Sequence, residues 1–266
     1  MIGFAIIAGG EGSRLCREGV CVPKPLVSLG GETLLARLIR LFAQNGASSV
    51  AVLVRSEADA VAAEAERTAT KAGLVPTIVR ADTPSSMHSL AALVPALTDE
   101  AFCLTTVDTV FSEQAFTGFV NRFRSVVENH TADGLMGVTS LIDDEKPLYV
   151  ATTSEQHISA FLDYPNKHTY QVSAGVYGLT YKTRQILNTC VASGEMRLRN
   201  FQRALLKSGM LLRAYDMGQV IDIDHKTDIE KALSLLQQRT SRESPNEKHY
   251  DPGKSPSHLS LPLSSA

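Results

Sequence analysis

The sequence predicts an α/β fold in which a mostly parallel sheet lies between two layers of helices. Two observations support this prediction. Short apolar runs alternate with segments of helical spacing through the first half of the chain, and such repeats form parallel sheets with right-handed crossovers. The first run, residues 3–8, is almost continuously apolar, which is typical of a parallel strand that is buried on both faces.

The first half of the chain shows the clearest alternation. Apolar residues between Leu34 and Phe42 recur at helical spacing, and Gly46 is placed to end that helix. In chain order, the predicted elements are a strand at 3–8, a helix at 34–42, a strand at 50–54, a helix at 57–71, a strand at 77–79, a helix at 90–97, a strand at 101–107 and an amphipathic helix at 116–127.

The second half is more mixed. The predicted strands are 135–140, 148–153, 170–179, 211–217 and 220–223, and the predicted helices are 182–191, 198–207 and 227–238. Ser, Pro and charged residues dominate the sequence after Arg239 and show no periodicity. We therefore predict one domain over residues 1–238, followed by a disordered tail over residues 239–266.

Length, composition and charge narrow the classes of protein that fit. The chain has 266 residues, of which 44% are hydrophobic, so it can build a large core. Its net charge of −2 argues against general nucleic-acid binding, which usually needs a basic excess. No apolar run approaches the roughly 20 residues that span a bilayer, and the first residues begin a strand rather than a basic leader. We expect a cytoplasmic protein without nucleic-acid or membrane partners, and the oligomeric state stays open.

The most informative stretch lies at the end of the first predicted strand. Residues 5–15 read Ala-Ile-Ile-Ala-Gly-Gly-Glu-Gly-Ser-Arg-Leu, and Pro23-Lys24-Pro25-Leu26 follows. Glycines allow backbone N–H groups to approach phosphate oxygens closely because they carry no Cβ. Arg14 and Lys24 can neutralise the charge that such a loop collects. The stretch therefore predicts a binding loop for a nucleoside triphosphate.

Two other nucleotide-binding motifs do not fit this loop. A dinucleotide-binding fingerprint needs G-x-G-x-x-G, but Leu15 occupies the place of its third glycine. A P-loop needs G-x-x-x-x-G-K-[ST], and the sequence contains no such string. The remaining alternative, an ordinary glycine turn between a strand and a helix, does not account for Arg14 and Lys24.

The pattern G-G-x-G-S-R-L followed by P-K-P-L resembles the signature of the sugar-1-phosphate nucleotidyltransferases, or NDP-sugar pyrophosphorylases. The resemblance implies a Rossmann-like, glycosyltransferase-A-like fold. It also implies two substrates, a nucleoside triphosphate and a phosphorylated acceptor, with pyrophosphate as the leaving group. Arg14 and Lys24 would be the catalytic residues. The loop residues implied to bind the nucleotide are Ala8, Gly9, Gly10, Gly12 and Ser13.

Asp108 resembles the metal-binding aspartate of this family. It directly follows the apolar strand predicted at residues 101–107, at the sheet edge where ligands of parallel sheets bind. The resemblance implies a Mg²⁺ ion, which is usually held by a few carboxylates together with phosphates and water. The alternative is an aspartate that caps a helix or sits in a turn.

Asp222 is the second implied Mg²⁺ ligand. It lies in Val220-Ile-Asp-Ile-Asp-His-Lys-Thr-Asp228, which resembles the family's late W-x-D-I-G-T-P-E-D segment, although Asp224-His-Lys replaces Gly-Thr-Pro. For Asp224, the sequence leaves open a shared ligand role or a turn. We predict that Asp228 caps the final helix.

The nucleobase side of the site resembles the family less closely. Ser85 and Ser86 stand where the family's G-T-x-x-A segment has glycine and threonine, so the resemblance implies nucleotide binding. An ordinary serine cap before a helix explains these residues equally well.

The acceptor side departs further from the family pattern. Ser173-Ala-Gly-Val-Tyr177 resembles the family's N-A-G-I-Y segment, which implies that Gly175 lies against the sugar. The family's upstream E-K-P is replaced by Phe161-Leu-Asp-Tyr-Pro165, and Lys167 is the nearest lysine. An acceptor such as a phosphocholine-like alcohol phosphate or a molybdenum cofactor therefore stays open. A glycosyltransferase of related fold and a non-catalytic nucleotide-binding relative are the remaining alternatives.

Overall fold

A computed structural model describes residues 2–10, 12–141, 146–167 and 169–237. The strands within these ranges are β1 (Ile2–Ile7), β2 (Ser28–Leu29), β3 (Glu32–Thr33), β4 (Ser49–Val54), β5 (Val75–Arg80), β6 (Ala101–Thr106), β7 (Thr109–Phe111), β8 (Gly134–Thr139), β9 (Tyr149–Thr152), β10 (Ile158–Leu162), β11 (Gln171–Thr180), β12 (Leu212–Asp216) and β13 (Val220–Asp222). The helices are α1 (Ser13–Arg17), α2 (Leu34–Gln44), α3 (Asp59–Lys71), α4 (Ser86–Leu93), α5 (Glu113–Glu128), α6 (Thr183–Ala192), α7 (Leu198–Lys207) and α8 (Lys226–Gln237).

Four parallel strands from the first half of the chain form one side of the main sheet. Their order is β6-β1-β4-β5, and each pairs in parallel with its neighbour. Ile7 at the end of β1 lies opposite Leu53 of β4 and Thr106 of β6. The carboxyl ends of these strands therefore share one edge of the sheet, and the predicted parallel arrangement is confirmed.

Strand β11 joins the second half of the chain to this sheet. It runs antiparallel to β6, β8 and β9, while β8 pairs in parallel with β12 and β9 pairs antiparallel with β10. Its register with β8 shifts between Ser173 and Tyr177, around Gly175. The mixed pairing explains why the second half shows no regular strand–helix alternation.

Apolar side chains pack on both faces of the sheet, which confirms the three predicted layers. Phe4 and Ile6 of β1 belong to a cluster with residues of α2, α3, α5 and α8. The alternate residues Ala5 and Ile7 belong to a second cluster with residues of α4, α6 and α7. Strand side chains alternate between faces, so a strand with helices on both sides must be apolar throughout. This is the pattern that the sequence shows.

A small antiparallel ladder lies beyond the carboxyl edge of β6. Strand β7 pairs with β13, which places Asp222 opposite Thr109. The buried guanidinium of Arg37 on α2 donates a hydrogen bond to the carbonyl oxygen of Phe111 and lies 5.5 Å from the centre of its ring. Burial lowers the pKa of Arg37 to about 10. Helix α2 thus supports the ladder that carries the acidic residues.

The predicted elements agree with the structure to within a few residues, but short elements were missed. These are α1, β2, β3, β7 and β10, each of five residues or fewer. Segments of this length show little hydrophobic periodicity, although the equally short β9 and β13 were predicted. None of the helices in the described ranges has the length and apolar character needed to cross a bilayer. The predicted tail, residues 239–266, lies outside the described residues.

Candidate functional site

The glycine loop leaves β1 at the carboxyl edge of the sheet. Ala8 is buried, and its backbone N–H donates to the carbonyl oxygen of Leu53, 2.8 Å away. Gly12 has φ of 65° and immediately precedes α1, a left-handed conformation that glycine adopts without steric penalty. A Cβ at position 12 would lie 3.2 Å from the Cβ of Lys24. The loop therefore packs closely on the segment that carries Lys24.

Lys24 connects the loop to the acidic residues. Its side chain is only 8% exposed, and its Nζ lies 2.9 Å from Asp108 Oδ2 and 2.6 Å from Asp224 Oδ1. Burial opposes the charged form, but the charge of Asp108 and the hydrogen bonds to Asp224 and Asp108 outweigh it. The pKa of Lys24 therefore lies above its ordinary value. Lys24 is thus a fixed cation at this edge of the sheet.

Asp108 and Asp222 come together through the β7–β13 ladder. Asp108 follows β6, and its carbonyl oxygen accepts a hydrogen bond from Ile223 N, 3.0 Å away. Thr109 Oγ1 donates to Asp222 Oδ1 at 2.9 Å. Both aspartates line a cavity of about 660 Å³, here called the larger cavity, which Arg14 and Gly175 also line. Two carboxylates from distant parts of the chain therefore face one space.

Arg14 reaches the same cluster from α1. Its Nη1 lies 3.2 Å from Asp224 Oδ2, so the Asp224 carboxylate bridges Arg14 and Lys24. Burial raises the pKa of Asp224, but the hydrogen bond from Lys24 and the charges of Lys24 and Arg14 lower it more. The net result is a pKa below the ordinary value. Asp224 is therefore an anion that contacts both predicted phosphate-binding cations.

Glu18 attaches helix α1 to the beginning of α8. Its Oε1 lies 2.6 Å from His225 Nδ1, and its Oε2 accepts from Lys226 N at 2.7 Å. The hydrogen bond between the two side chains lowers the pKa of Glu18 and raises the pKa of His225. Asp228 Oδ2 accepts from the backbone N–H groups of His225 and Asp224. Asp228 was predicted to cap this helix, but it lies inside the first turn of α8. Its side chain instead reaches back to the N–H groups that precede the helix.

The two serines of the predicted nucleobase segment lie at the start of α4. Ser85 caps this helix, since its Oγ accepts from His88 N at 3.4 Å, and it also lies 2.9 Å from His88 Nδ1. The capping interpretation is therefore confirmed. Ser85 and Ser86 line two cavities. One is the larger cavity, and the other has a volume of about 410 Å³ and is also lined by Gly9 and Gly10. Their role in nucleotide binding stays a prediction, as do those of Ala8, Gly9, Gly10, Gly12 and Ser13.

Gly175 lies where any larger residue would have to displace a neighbouring side chain. Its φ is 68°, and a Cβ at this position would lie 2.5 Å from Thr109 Oγ1 and 3.1 Å from Thr106 Oγ1. Thr109 is the residue that donates to Asp222. The backbone of Gly175 is thus in direct contact with the residue that orients one of the predicted metal ligands.

We predict that Gly175→Ala lowers both stability and activity. A left-handed conformation costs an alanine about 1–2 kcal/mol, and the new methyl group must also displace Thr109. Gly73→Ala is the matched control, because Gly73 has φ of 76° and its added Cβ would meet nothing within 4 Å. Urea unfolding should show a loss in both variants, whereas turnover should fall only in Gly175→Ala. Equal turnover in the two variants would show that the position of Thr109 beside Gly175 does not matter for activity.

The acceptor side contains cationic residues that the sequence reasoning missed. Lys167 is exposed and is not among the residues that line the larger cavity, whereas Arg197 and Arg199 at the start of α7 line it. Asp163, which lies in the segment that replaces E-K-P, binds Arg199 at 2.9 Å and Arg203 at 2.8 Å. No sequence motif connects Arg197 or Arg199 with the glycine loop, so only the fold could identify them.

The chemistry of the acidic residues fits Mg²⁺. Within the described ranges, no group of three or more His, Cys, Asp or Glu side chains is arranged to hold a metal by itself. Magnesium does not require such a group, since it is commonly bound by one or two carboxylates plus substrate phosphates and water. Asp108 and Asp222 supply two hard oxygen ligands on one cavity. These residues therefore suit a cation whose remaining coordination positions are filled by a phosphorylated substrate and water.

Solved structures of sugar-phosphate nucleotidyltransferases share this fold. The inositol-1-phosphate CTP transferase from T. maritima matches with a TM-score of 0.73 at 18% identity, over 90% of this chain and 97% of that chain. A protein assigned as a glucose-1-phosphate thymidylyltransferase from Bacillus anthracis, in complex with a sucrose, gives 0.76 at 18% identity, over 89% and 96%. A UDP-glucose pyrophosphorylase complexed with UDP-glucose gives 0.72 at 15% identity, over 88% and 98%.

The sequence itself matches a family of nucleotide-dependent transferases. Comparison with curated proteins gives no match. The match to MobA-like NTP transferase domains extends over residues 4–171, which is more than half of the chain. This range includes the glycine loop, Lys24 and Asp108. The chain therefore belongs to the family of MobA-like NTP transferase domains and is a nucleotidyltransferase.

Proposed function

We propose that the protein transfers a nucleoside monophosphate from a nucleoside triphosphate to a sugar 1-phosphate, with Mg²⁺ as cofactor and pyrophosphate as the second product. One observation carries this proposal: Arg14, Lys24, Asp108 and Asp222 converge beside the larger cavity, although they come from distant parts of the chain. A transfer between two anions needs this combination of cations and metal-binding carboxylates.

In the proposed mechanism, the protein aligns two phosphates and provides no nucleophile of its own. The loop amides and Arg14 hold the β- and γ-phosphates, so that they stabilise the charge that collects on the departing pyrophosphate. Lys24 lies between this loop and Asp108, where it can contact the phosphates of both substrates. Asp108 and Asp222 would hold Mg²⁺, which when bound neutralises phosphate charge and reduces the repulsion between the substrates. An oxygen of the acceptor phosphate attacks the α-phosphorus in line with the leaving group.

The lining of the larger cavity favours a hydroxyl-rich acceptor over a choline phosphate. Ser173, Gln202 and Thr227 offer hydroxyl and amide groups, and Tyr177 is the one Phe, Tyr or Trp residue among the described residues that line this cavity. Quaternary ammonium groups are usually recognised by cages of several aromatic rings. Burial raises the pKa of Tyr177 to about 12, so this residue stays neutral. The structural neighbours named for glucose and inositol phosphates support the same choice.

Arg197 is the residue that we expect to bind the acceptor phosphate in place of the missing family lysine. We predict that Arg197→Gln raises the KM for the acceptor about tenfold to a hundredfold and leaves the KM for the nucleotide unchanged. The loss of a charge-assisted hydrogen bond of roughly 1.5–3 kcal/mol accounts for this effect. Lys167→Gln is the matched control and should change neither KM. Steady-state kinetics with each substrate varied in turn would test this, and equal effects of both variants would refute it.

A substrate panel tests the proposed function. The protein is incubated with Mg²⁺, each common nucleoside triphosphate and one of several acceptors, and pyrophosphate release is followed. We expect release that depends on a sugar 1-phosphate or a related polyol phosphate. Release only with phosphocholine or with a molybdenum cofactor would show that the protein catalyses the same reaction on a different acceptor. Nucleotide binding without release for any acceptor would favour a non-catalytic relative.

A further inference from the structure

Asp224 occupies the space between the two cations that the proposed function assigns to the triphosphate. One carboxylate oxygen, Oδ1, lies 2.6 Å from Lys24 Nζ, and the other, Oδ2, lies 3.2 Å from Arg14 Nη1. A phosphate group presents its oxygens to Lys and Arg side chains in a similar way. Asp224 therefore holds the contacts that a bound phosphate would need.

The charges of this cluster do not favour a further anion. Lys24 and Arg14 are its two cations, while Asp108, Asp222 and Asp224 are its three carboxylates. Lys24 has three N–H donors, and Asp108 and Asp224 already occupy two of them. Without a bound Mg²⁺ ion, these five groups carry one more negative than positive charge. An approaching triphosphate is then repelled unless one carboxylate withdraws.

Of the groups in contact, Asp224 is placed to move. Its side chain is 45% exposed, whereas that of Lys24 is 8% exposed. It lies between the end of β13 and the start of α8, outside both elements. Its backbone N–H is held by Asp222 O at 3.1 Å and by Asp228 Oδ2 at 3.2 Å. Rotation of the side chain alone can therefore release Lys24 and Arg14 without a change of the backbone.

We propose that Asp224 is an internal counter-ion of the phosphate-binding cations and that the incoming triphosphate displaces it. This inference rests on the proposed function, since it assigns Arg14 and Lys24 to the triphosphate. The nucleotide affinity is then a difference between two sets of ion pairs, because each phosphate contact replaces a contact to Asp224. When pyrophosphate leaves, Asp224 returns to both cations. The residue thus weakens nucleotide binding and favours release of the product.

A different role for Asp224 would have the opposite effect. If Asp224 were a third ligand of the metal, its removal would weaken binding, and the loss would depend on Mg²⁺. If it only oriented Lys24 and Arg14, its removal would weaken binding with or without the metal. The direction of the change therefore distinguishes the counter-ion from both alternatives.

Calorimetric titration of inorganic tripolyphosphate into the full chain tests the proposal without a nucleobase. It is performed at low ionic strength in EDTA and repeated with Mg²⁺. We predict that Asp224→Asn binds tripolyphosphate in EDTA at least about tenfold more tightly than the unmodified protein. Glu128→Gln is the control for net charge, because Glu128 is exposed at the end of α5, and it should change the affinity less than about twofold.

Unchanged or weaker binding by Asp224→Asn in EDTA would overturn the counter-ion proposal. Pyrophosphate release by the unmodified protein, measured in the same preparations, shows whether the proposed function still stands in that case. If neither protein binds tripolyphosphate in either buffer and neither releases pyrophosphate, both proposals fail together. Far-UV circular dichroism confirms that the variants are folded, and the similar shapes of aspartate and asparagine favour this.

Discussion

Replacing Asp108 by asparagine should lower kcat by about a thousandfold or more and leave the fold intact. The amide has nearly the shape of the carboxylate but no charge, so it is a poor ligand for a hard cation. The substitution also removes the ion pair with Lys24 Nζ, 2.9 Å away. A thousandfold effect corresponds to about 4 kcal/mol, which is the size expected when a metal-centred interaction is lost in the transition state.

The measurement is pyrophosphate release at saturating substrates, with the Mg²⁺ concentration varied. Asp59→Asn is the matched control, since the Asp59 side chain is 89% exposed and pairs with Arg80 outside the site. This control should keep its full turnover. Near-normal turnover in Asp108→Asn would remove this residue from the proposed metal site, whatever the behaviour of Asp222.

Replacing Lys24 by methionine should also lower kcat strongly. We predict a loss of kcat of about a thousandfold or more, because the cation between the two substrates disappears. Stability should also fall, by about 1–3 kcal/mol, since Asp108 and Asp224 lose their buried partner. The two carboxylates are 28% and 45% exposed, so solvent compensates part of the lost contact.

Single-turnover kinetics and urea unfolding separate these two effects. Lys71→Met is the matched control, because Lys71 is exposed at the end of α3, and neither quantity should change. Lys24→Met with a kcat within tenfold of the unmodified protein would contradict the role proposed for this residue. A loss of stability without a loss of turnover would leave Lys24 with a structural role only.

The parallel half of the sheet could be predicted because the pattern of apolar residues within each strand and helix indicates its structure. Strand β1 is apolar at every position, since helices cover both of its faces, and each following helix shows an apolar stripe. The pairing of β11 with three other strands could not be predicted, because it depends on contacts between distant residues. The β7–β13 ladder was missed for a second reason. Strand β13 was predicted, but its partner β7 has only three residues, too few to show a period.

Some residues of the candidate site could likewise be predicted from local sequence, whereas others could not. Arg14, Lys24 and the glycines stand in one continuous motif, so the sequence could indicate their chemistry. The position of Arg197 on the larger cavity depends on how α7 packs against the sheet, and no local pattern records this. The two ion pairs of Asp224 likewise join segments that are 200 or more positions apart in the chain. The sequence could therefore suggest a turn or a metal ligand at Asp224 but could not identify its contacts.

The proposed reaction joins the α-phosphate of a nucleoside triphosphate to the phosphate of a hydroxyl-rich acceptor. Phosphorus NMR of one reaction mixture tests it most directly, because reactants and both products give separate signals. We predict that a pyrophosphate diester and inorganic pyrophosphate appear in equal amounts, at the expense of the triphosphate and the acceptor phosphate, and only with Mg²⁺. Formation of nucleoside diphosphate and inorganic phosphate, or an acceptor signal that stays unchanged while the triphosphate is consumed, would contradict the proposed reaction.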